Sequence, residues 1–338
     1  MPFEWTSLLN PLRLLAEEKV DPKLIPNMFA PESVPAHSIF HLATLVLAIT
    51  LAMFIVVTGL LVYVVLRFRR PANDDGTEPP QVYGSGPLET AWTVVPILIV
   101  LVLTLTTARV IHELQDARKP ANALDVVMIG HQWWWEIRYP KLGIVTANEM
   151  HVPLNDGTNR VATFIELRSA DVVHSFWVPR LAGKTDLIPN KVNSMWIEPD
   201  RTGLFLGQCA KYCGTQHAKM LLRVYVDTPE EFDRWVRQQR LPAVNDPAVQ
   251  AGRHVFEQTA CINCHTVVGT VANGRFGPDL THMMSRDTLA SGALANSPDG
   301  LRAWIKSPDQ IKPGVLMPAM NLSDVELGQL VAYLRTLK

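Results

Sequence analysis

Residues 209–220 read CAKYCGTQHAKM, and runs rich in β-branched and aromatic residues, 204–207 and 221–226, stand on either side of them. The pattern predicts a loop between two strands that carries Cys209, Cys213, His217 and Met220. Upstream, His174 sits in DVVHSFW, residues 171–177. Thiolate, imidazole and thioether together suit an electron-transferring copper site, because soft sulfur stabilises Cu(I) while imidazole supports Cu(II). One thiolate serves a single ion. Two can bridge a pair of ions, so that an electron spread over both changes the geometry little. His174 and His217 would then close the two ends, with Met220 a weak ligand to one ion and the backbone carbonyl of Lys211 a weak ligand to the other. A structural zinc held by two cysteines and two histidines is the rival reading, but it gives no reason for a methionine three residues after the last histidine.

Outward from this loop, further short runs at 126–128, 161–167 and 195–198 predict a small β-sandwich or barrel over 113–227. The pattern changes at Thr228. Thr228-Pro229-Glu230-Glu231 supplies a cap, a first-turn proline and first-turn acids, so a helix is expected to about Arg240. With the short linker that follows, it fills 228–245. Asp246-Pro247 opens a second helix toward Cys261, and Ser323-Asp324-Val325-Glu326 is a capping box before Leu327, Leu330, Val331 and Leu334 at helical spacing. Residues 246–338 thus read as a small all-helical domain with long loops.

The other two of the four cysteines lie in CINCH, residues 261–265. That spacing allows two thioether bonds to haem from Cys261 and Cys264, with His265 as the proximal ligand. A thioredoxin-like redox pair or half a zinc site is the alternative. Gly277-Pro278-Asp279-Leu280 is a rigid turn suited to supporting His265. The distal ligand is expected to be Met317, in KPGVLMP at 312–318, with Met320, Met283 and Met284 as alternatives. No cysteine is left for a disulfide.

Composition points to a membrane: 48% of the 338 residues are hydrophobic, and the 19% charged fraction lies below the roughly 25% of soluble domains. Residues 40–66 contain no acid, lysine or arginine and would form about 40 Å of helix. The second span is expected at 91–112. Its uncharged part, 91–108, just reaches the spanning length, and Pro96 is expected to bend rather than break it. Arg67, Arg69 and Arg70 follow the first span, whereas residues 26–40 before it have no lysine or arginine. The loop 67–90 is therefore expected on the cytoplasmic side, with segment 1–39 and everything after the second span on the outer face. Residues 1–35 show no continuous apolar core of a cleavable signal. A net charge of -1 gives no basic excess for nucleic acid.

With these motifs, and with LETAWT at 88–93, GHQWWWE at 130–136 and KTDLIP at 184–189, the chain resembles subunit 2 of cytochrome c oxidase. The added haem motif makes it similar to the caa3 type, a CuA subunit fused to a C-terminal cytochrome c domain. The likeness implies a two-helix transmembrane hairpin, an all-β cupredoxin-like domain and an all-α class I cytochrome c domain. It implies a binuclear CuA centre of two copper ions on His174, Cys209, Lys211 through its carbonyl, Cys213, His217 and Met220, and one covalent haem c. Trp133 matches the aromatic point at which electrons enter. Glu89 matches a carboxylate at the entrance of a proton channel in the partner subunit, although by itself it is a helix-start acid.

By the same likeness the chain passes electrons from a donor, a quinol:cytochrome c reductase complex or a soluble cytochrome, through haem c and CuA to subunit 1. There oxygen is reduced and protons are pumped; subunit 3 and membrane lipid are further expected partners. The place implied is the bacterial inner membrane, crossed twice, with both metal domains periplasmic. A copper-containing nitric oxide reductase is the alternative enzyme that such a relay can feed. One departure stands out: the family usually has glutamate where this chain has Lys211. The carbonyl ligand survives that change, but an ammonium cannot hold the magnesium ion that the glutamate normally reaches.

Overall fold

Proline in the first turn, where its missing amide costs nothing, starts helix α1 (Val34–Arg67), which runs on through the apolar stretch. The structure is a computed structural model that describes residues 24–69, 76–78, 80–115, 119, 121–155 and 162–338. Residues 1–23 of the expected outer segment, Arg70 of the basic cluster and Val161 of the expected strand lie outside the described residues. Helix α2 (Gly86–Gln115) carries the second apolar run with Pro96 inside it. At 1.5 Å per residue the helices are about 51 and 45 Å long, more than a bilayer core about 30 Å thick requires. Their most apolar windows have mean hydropathies of 2.8 and 2.4 and bury none of their residues within the chain. Leu61 and Leu98 are among the side chains left facing outward.

Ten strands follow: β1 (Leu124–His131), β2 (Trp134–Tyr139), β3 (Ile144–Ala147), β4 (Glu149–Pro153), β5 (Thr163–Ser169), β6 (His174–Trp177), β7 (Thr185–Leu187), β8 (Asn193–Ile197), β9 (Gly203–Cys209) and β10 (Leu221–Asp227). They form two five-stranded sheets, ordered β3-β2-β1-β5-β8 and β4-β10-β9-β6-β7. Alternation explains the layering. In β10, Leu222, Val224 and Val226 are buried and their neighbours are not, and β5 buries Thr163, Ile165 and Leu167 in the same way. The apolar ones among them meet Trp135, Ile137, Tyr139, Met150 and Phe176 in one core. The chain changes sheets between β3 and β4 at Asn148, whose φ of 63° suits asparagine. Its side-chain oxygen accepts from the Trp135 amide at 2.9 Å, which ties the crossover to the core.

Both apolar helices are fastened near β8. The Glu198 amide donates to Ser33 Oγ at 3.0 Å just ahead of α1, and the Trp196 indole donates to the Leu114 carbonyl at 3.0 Å at the end of α2. Beyond the sandwich, helix α3 (Pro229–Gln239) opens with a complete capping box of Thr228 and Glu231. It packs on the sheet through Trp235, whose ring stacks on His151 at 4.6 Å.

The C-terminal domain consists of α4 (Gln250–Gln258), α5 (Cys261–Cys264), α6 (Pro298–Lys306), α7 (Pro308–Ile311) and α8 (Asp324–Leu334). A small ladder, β11 (Thr288–Leu289) with β12 (Leu294–Ala295), interrupts the helical pattern. Leu327, Leu330, Val331 and Leu334 of α8 supply its core together with Phe256 of α4. The fold thus has the three parts expected: two apolar helices, a cupredoxin-like sandwich and a helical cytochrome-like domain.

Candidate functional site

Strands β6, β9 and β10 bring the sulfur and imidazole donors together. Pairing of Phe176 with Cys209 places His174 beside the end of β9, and pairing of Leu221 with Gln208 turns residues 210–220 into a hairpin loop. The Cys209 amide donates to the Met220 carbonyl at 3.0 Å, closing the loop at its base. Within it, Gly214 has φ 118°, and a Cβ there would stand 3.0 Å from the Trp133 ring. Glycine therefore lets the loop lie against that indole.

The donor atoms converge. Cys209 Sγ lies 3.8 Å from Cys213 Sγ, 4.0 Å from His174 Nδ1 and 3.1 Å from the Lys211 carbonyl oxygen. Cys213 Sγ lies 3.7 Å from His217 Nδ1 and 3.9 Å from Met220 Sδ. Such spacings are those of donors that each reach about 2.0–2.3 Å to a shared ion. His174 is fully buried, as are Cys209, Cys213 and Met220. The Lys211 side chain points away, exposed and 3.8 Å from Asp186.

The hydrogen bond shared with Cys213, ahead of those with His174 and the backbone, holds the Cys209 thiol far below its ordinary value. Cys213 is pushed up instead, first by that same hydrogen bond and then by burial. Two thiolates this close repel each other unless a metal lies between them. Burial works against a charged His174, but its hydrogen bond to Asp171 at 2.7 Å and the neighbouring Cys209 outweigh burial and raise it. Asp171 accepts in addition from the Gln132 amide at 2.6 Å. Burial would raise its carboxyl, yet these hydrogen bonds, His174 first, hold it below its ordinary value. A carboxylate on the outer nitrogen fixes which ring nitrogen faces a metal.

The second cluster lines a cavity of about 490 Å³ between the C-terminal domain and the sandwich, whose Trp133, Trp134 and Asn148 also border it. Cys261, Cys264, His265 and Met317 all border it, as do Met283 and Met320, whereas Met284 does not. His265 Nδ1 donates to the Pro278 carbonyl at 2.7 Å, leaving Nε2 for a ligand. Burial lowers its pKa, favouring the neutral ring that a metal requires. Gly277 stands so close that a Cβ would meet His265 Cε1 at 2.6 Å. Apolar side chains, among them Phe256, Leu280, Leu301 and Leu330, complete the wall. Cysteines, one buried imidazole, a thioether and an apolar wall fit a covalently held haem.

Trp133 lies between the clusters. Its Nε1 donates to the Cys213 carbonyl at 3.0 Å, and the same residue borders the cavity. Glu89 is brought to neither cluster; it sits in the first turn of α2 and accepts from the Ser85 amide at 3.2 Å. Sequence reading gave no role to Asp171, although its place three residues before His174 was a usable signal. Nor did it single out Gln132, whose side chain donates to the Cys213 carbonyl at 2.7 Å.

An apolar helix hairpin, a sandwich with a sulfur-imidazole metal cluster and an appended haem-sized cavity define a membrane-anchored electron-transfer protein. Family models agree: residues 27–110 match "Cytochrome C oxidase subunit II, transmembrane domain", 124–226 its "periplasmic domain", and 249–338 "Cytochrome c". Cytochrome c oxidase subunit 2 of Alkalihalophilus pseudofirmus is 34% identical over 91% of this chain and 90% of its own length. The same subunit of Bacillus sp. (strain PS3) is 33% identical over 80% of each chain, and that of Bacillus subtilis 34% over 82% of each. The chain belongs to the cytochrome c oxidase subunit 2 family, in the caa3-type organisation that joins a copper domain to a cytochrome c domain. The family implies copper in the first and haem c in the second, and the chain is a subunit of a membrane oxidase with a periplasmic domain. The nitric oxide reductase alternative gains no support from these matches.

Proposed function

We propose that the chain is the electron-input subunit of a haem-copper oxygen reductase, receiving electrons at its cytochrome domain and delivering them through its copper domain to subunit 1. The observation that carries this is the position of Trp133, bonded to the Cys213 carbonyl on one side and bordering the cavity of His265 on the other. When bound, copper and haem c supply one-electron couples, and the protein's part is to hold their ligands. Cys209 and Cys213 would hold the copper through both thiolates, with His174, His217, Met220 and the Lys211 carbonyl as the remaining donors.

Two ions, rather than one, are favoured by spacing. Among the described histidines, cysteines and acids, only His174, Cys209 and Cys213 have donor atoms all within 4.8 Å of one another; His217 lies outside that set. Ligands of a single tetrahedral ion would all stand within about 4 Å. In the cytochrome domain, Cys261 and Cys264 would anchor the porphyrin, and His265, held by Pro278, and Met317 would ligate its iron. Trp133 is the residue through which electrons reach the copper side.

The remaining assignments follow the family likeness. Glu89 serves the entrance of a proton path in subunit 1, subunit 3 and membrane lipid complete the assembly, and the donor is a quinol:cytochrome c reductase or a soluble cytochrome. The hairpin crosses the bacterial inner membrane twice. The boundaries proposed are 1–39, 40–66, 67–90, 91–112, 113–227, 228–245 and 246–338. Metal analysis and absorption spectra of the purified full chain test the reading: two coppers with a near-infrared band and one covalent haem support it, and zinc without haem overturns it.

A further inference from the structure

Lys312 belongs to the cytochrome domain but ends in the copper domain. Only 2% exposed, its ammonium donates to the carbonyls of Trp133 at 2.7 Å, Lys219 at 2.9 Å and Ala290 at 3.0 Å. All three of its protons are used, and two of the acceptors come from the other domain. The neighbouring residues are held in the opposite direction: Lys219 Nζ donates to the Ile311 carbonyl at 3.1 Å, and Gln216 Nε2 to the Pro313 carbonyl at 2.8 Å. Gln216 and Lys219 bracket His217, and Lys219 immediately precedes Met220. Met317 lies four residues beyond Pro313.

A second buried charge answers from the other side. Glu149 of β4, 3% exposed, accepts from the amides of Asp287 and Thr288 at 2.9 Å each and from Thr288 Oγ1 at 2.7 Å. A cation thus enters the copper domain and an anion receives the cytochrome domain. Each is satisfied in one mutual orientation, because rotating the domains would leave a desolvated charge short of partners. No net charge sets this orientation: from Asp246 onward the domain carries eight lysines and arginines against eight acids.

We propose that Lys312, with Glu149 as its counterpart, is a positioning residue that fixes the cytochrome domain on the copper domain in a single pose and joins the His217–Met220 segment to the loop bearing Met317. The cytochrome domain is then a docked part of the subunit rather than a tethered shuttle. The pose rests on the contacts alone; its consequence for electron transfer rests on the relay proposed above.

The test uses the full-length, detergent-solubilised protein with its cofactors, as wild type, Lys312→Met and Glu149→Gln. Hydrogen exchange reads the pose. Wild-type amides at 287–288 and at Leu221, which donates to the Ser291 carbonyl, are expected to be protected like those of β5, and either variant is expected to exchange there about tenfold faster with β5 unchanged. Flash reduction of the haem domain reads the consequence. Haem-to-copper transfer is expected to be insensitive to salt in wild type and about tenfold slower in Lys312→Met, with both absorption spectra unchanged.

Interface amides that exchange like exposed loops in wild type overturn the fixed pose. So does unchanged exchange in both variants. Faster exchange with an unchanged transfer rate overturns the positioning role. Absence of copper or haem overturns the relay reading instead, while the exchange measurement still decides the pose.

Discussion

The indole of Trp133 is hydrogen-bonded to the carbonyl of Cys213 at 3.0 Å, so an aromatic residue of the β1–β2 turn is attached directly to the metal loop. The same residue lines the haem cavity, and its own carbonyl receives the Lys312 ammonium. Sulfur loop, aromatic ring and cytochrome domain are thus consecutive links of one bonded arrangement.

Trp133→Phe removes the donor while keeping an aromatic ring. Gln132 still bonds the Cys213 carbonyl, so the stability cost should stay near 1 kcal/mol, visible as a small drop in melting temperature. Haem-to-copper transfer after flash reduction should slow by more than that small destabilisation explains.

Asp171→Asn keeps the size of the group that orients His174 but removes its charge. The imidazole becomes a poorer ligand, and copper affinity should fall about 10–100-fold in competition with a chelator. Covalent haem content should not change.

Gly277→Ala places a methyl 2.6 Å from His265 Cε1, on a ring already held by Pro278. The ring must turn or the loop must move, at a cost of about 1–3 kcal/mol. Covalent haem per chain, measured after acid extraction of free porphyrin, should drop while copper content is kept.

Glu136 gives a pH prediction. Burial by itself would raise its carboxyl, but hydrogen bonds with His131 at 3.0 Å and Arg138 at 2.5 Å hold it below its ordinary 4.5. A carboxyl that binds its proton more weakly when folded adds stability in full above that ordinary value and loses it as pH falls through the folded one. Thermal melts of the wild type should therefore fall as pH drops below 4.5, and Glu136→Gln should reduce that slope while lowering stability at neutral pH.

Much of the chemistry was legible because it is local. CINCH and CAKYCGTQHAKM hold their donors within a few residues, and helices α1 and α2 contain continuous apolar runs that no fold is needed to recognise. Strands β1, β5, β8, β9 and β10 also showed themselves by β-branched runs. Strands β2, β3, β4, β6 and β7 did not: β3, β6 and β7 have four residues or fewer, β2 buries Trp135, Glu136 and Ile137 in succession instead of alternating, and Asn148 hides the break between β3 and β4.

The sequence by itself determined the donor types, their order along the chain and the presence of two apolar spans, since each follows from covalent spacing and side-chain polarity. Only the tertiary structure decided that Asp171 supports His174, that Trp133 stands between the two clusters, and that Lys312 and Glu149 cross between domains. Those pairings join residues up to 179 positions apart. Their partners are largely backbone carbonyls and amides, which every residue carries, so no residue type could have announced them before the chain was folded.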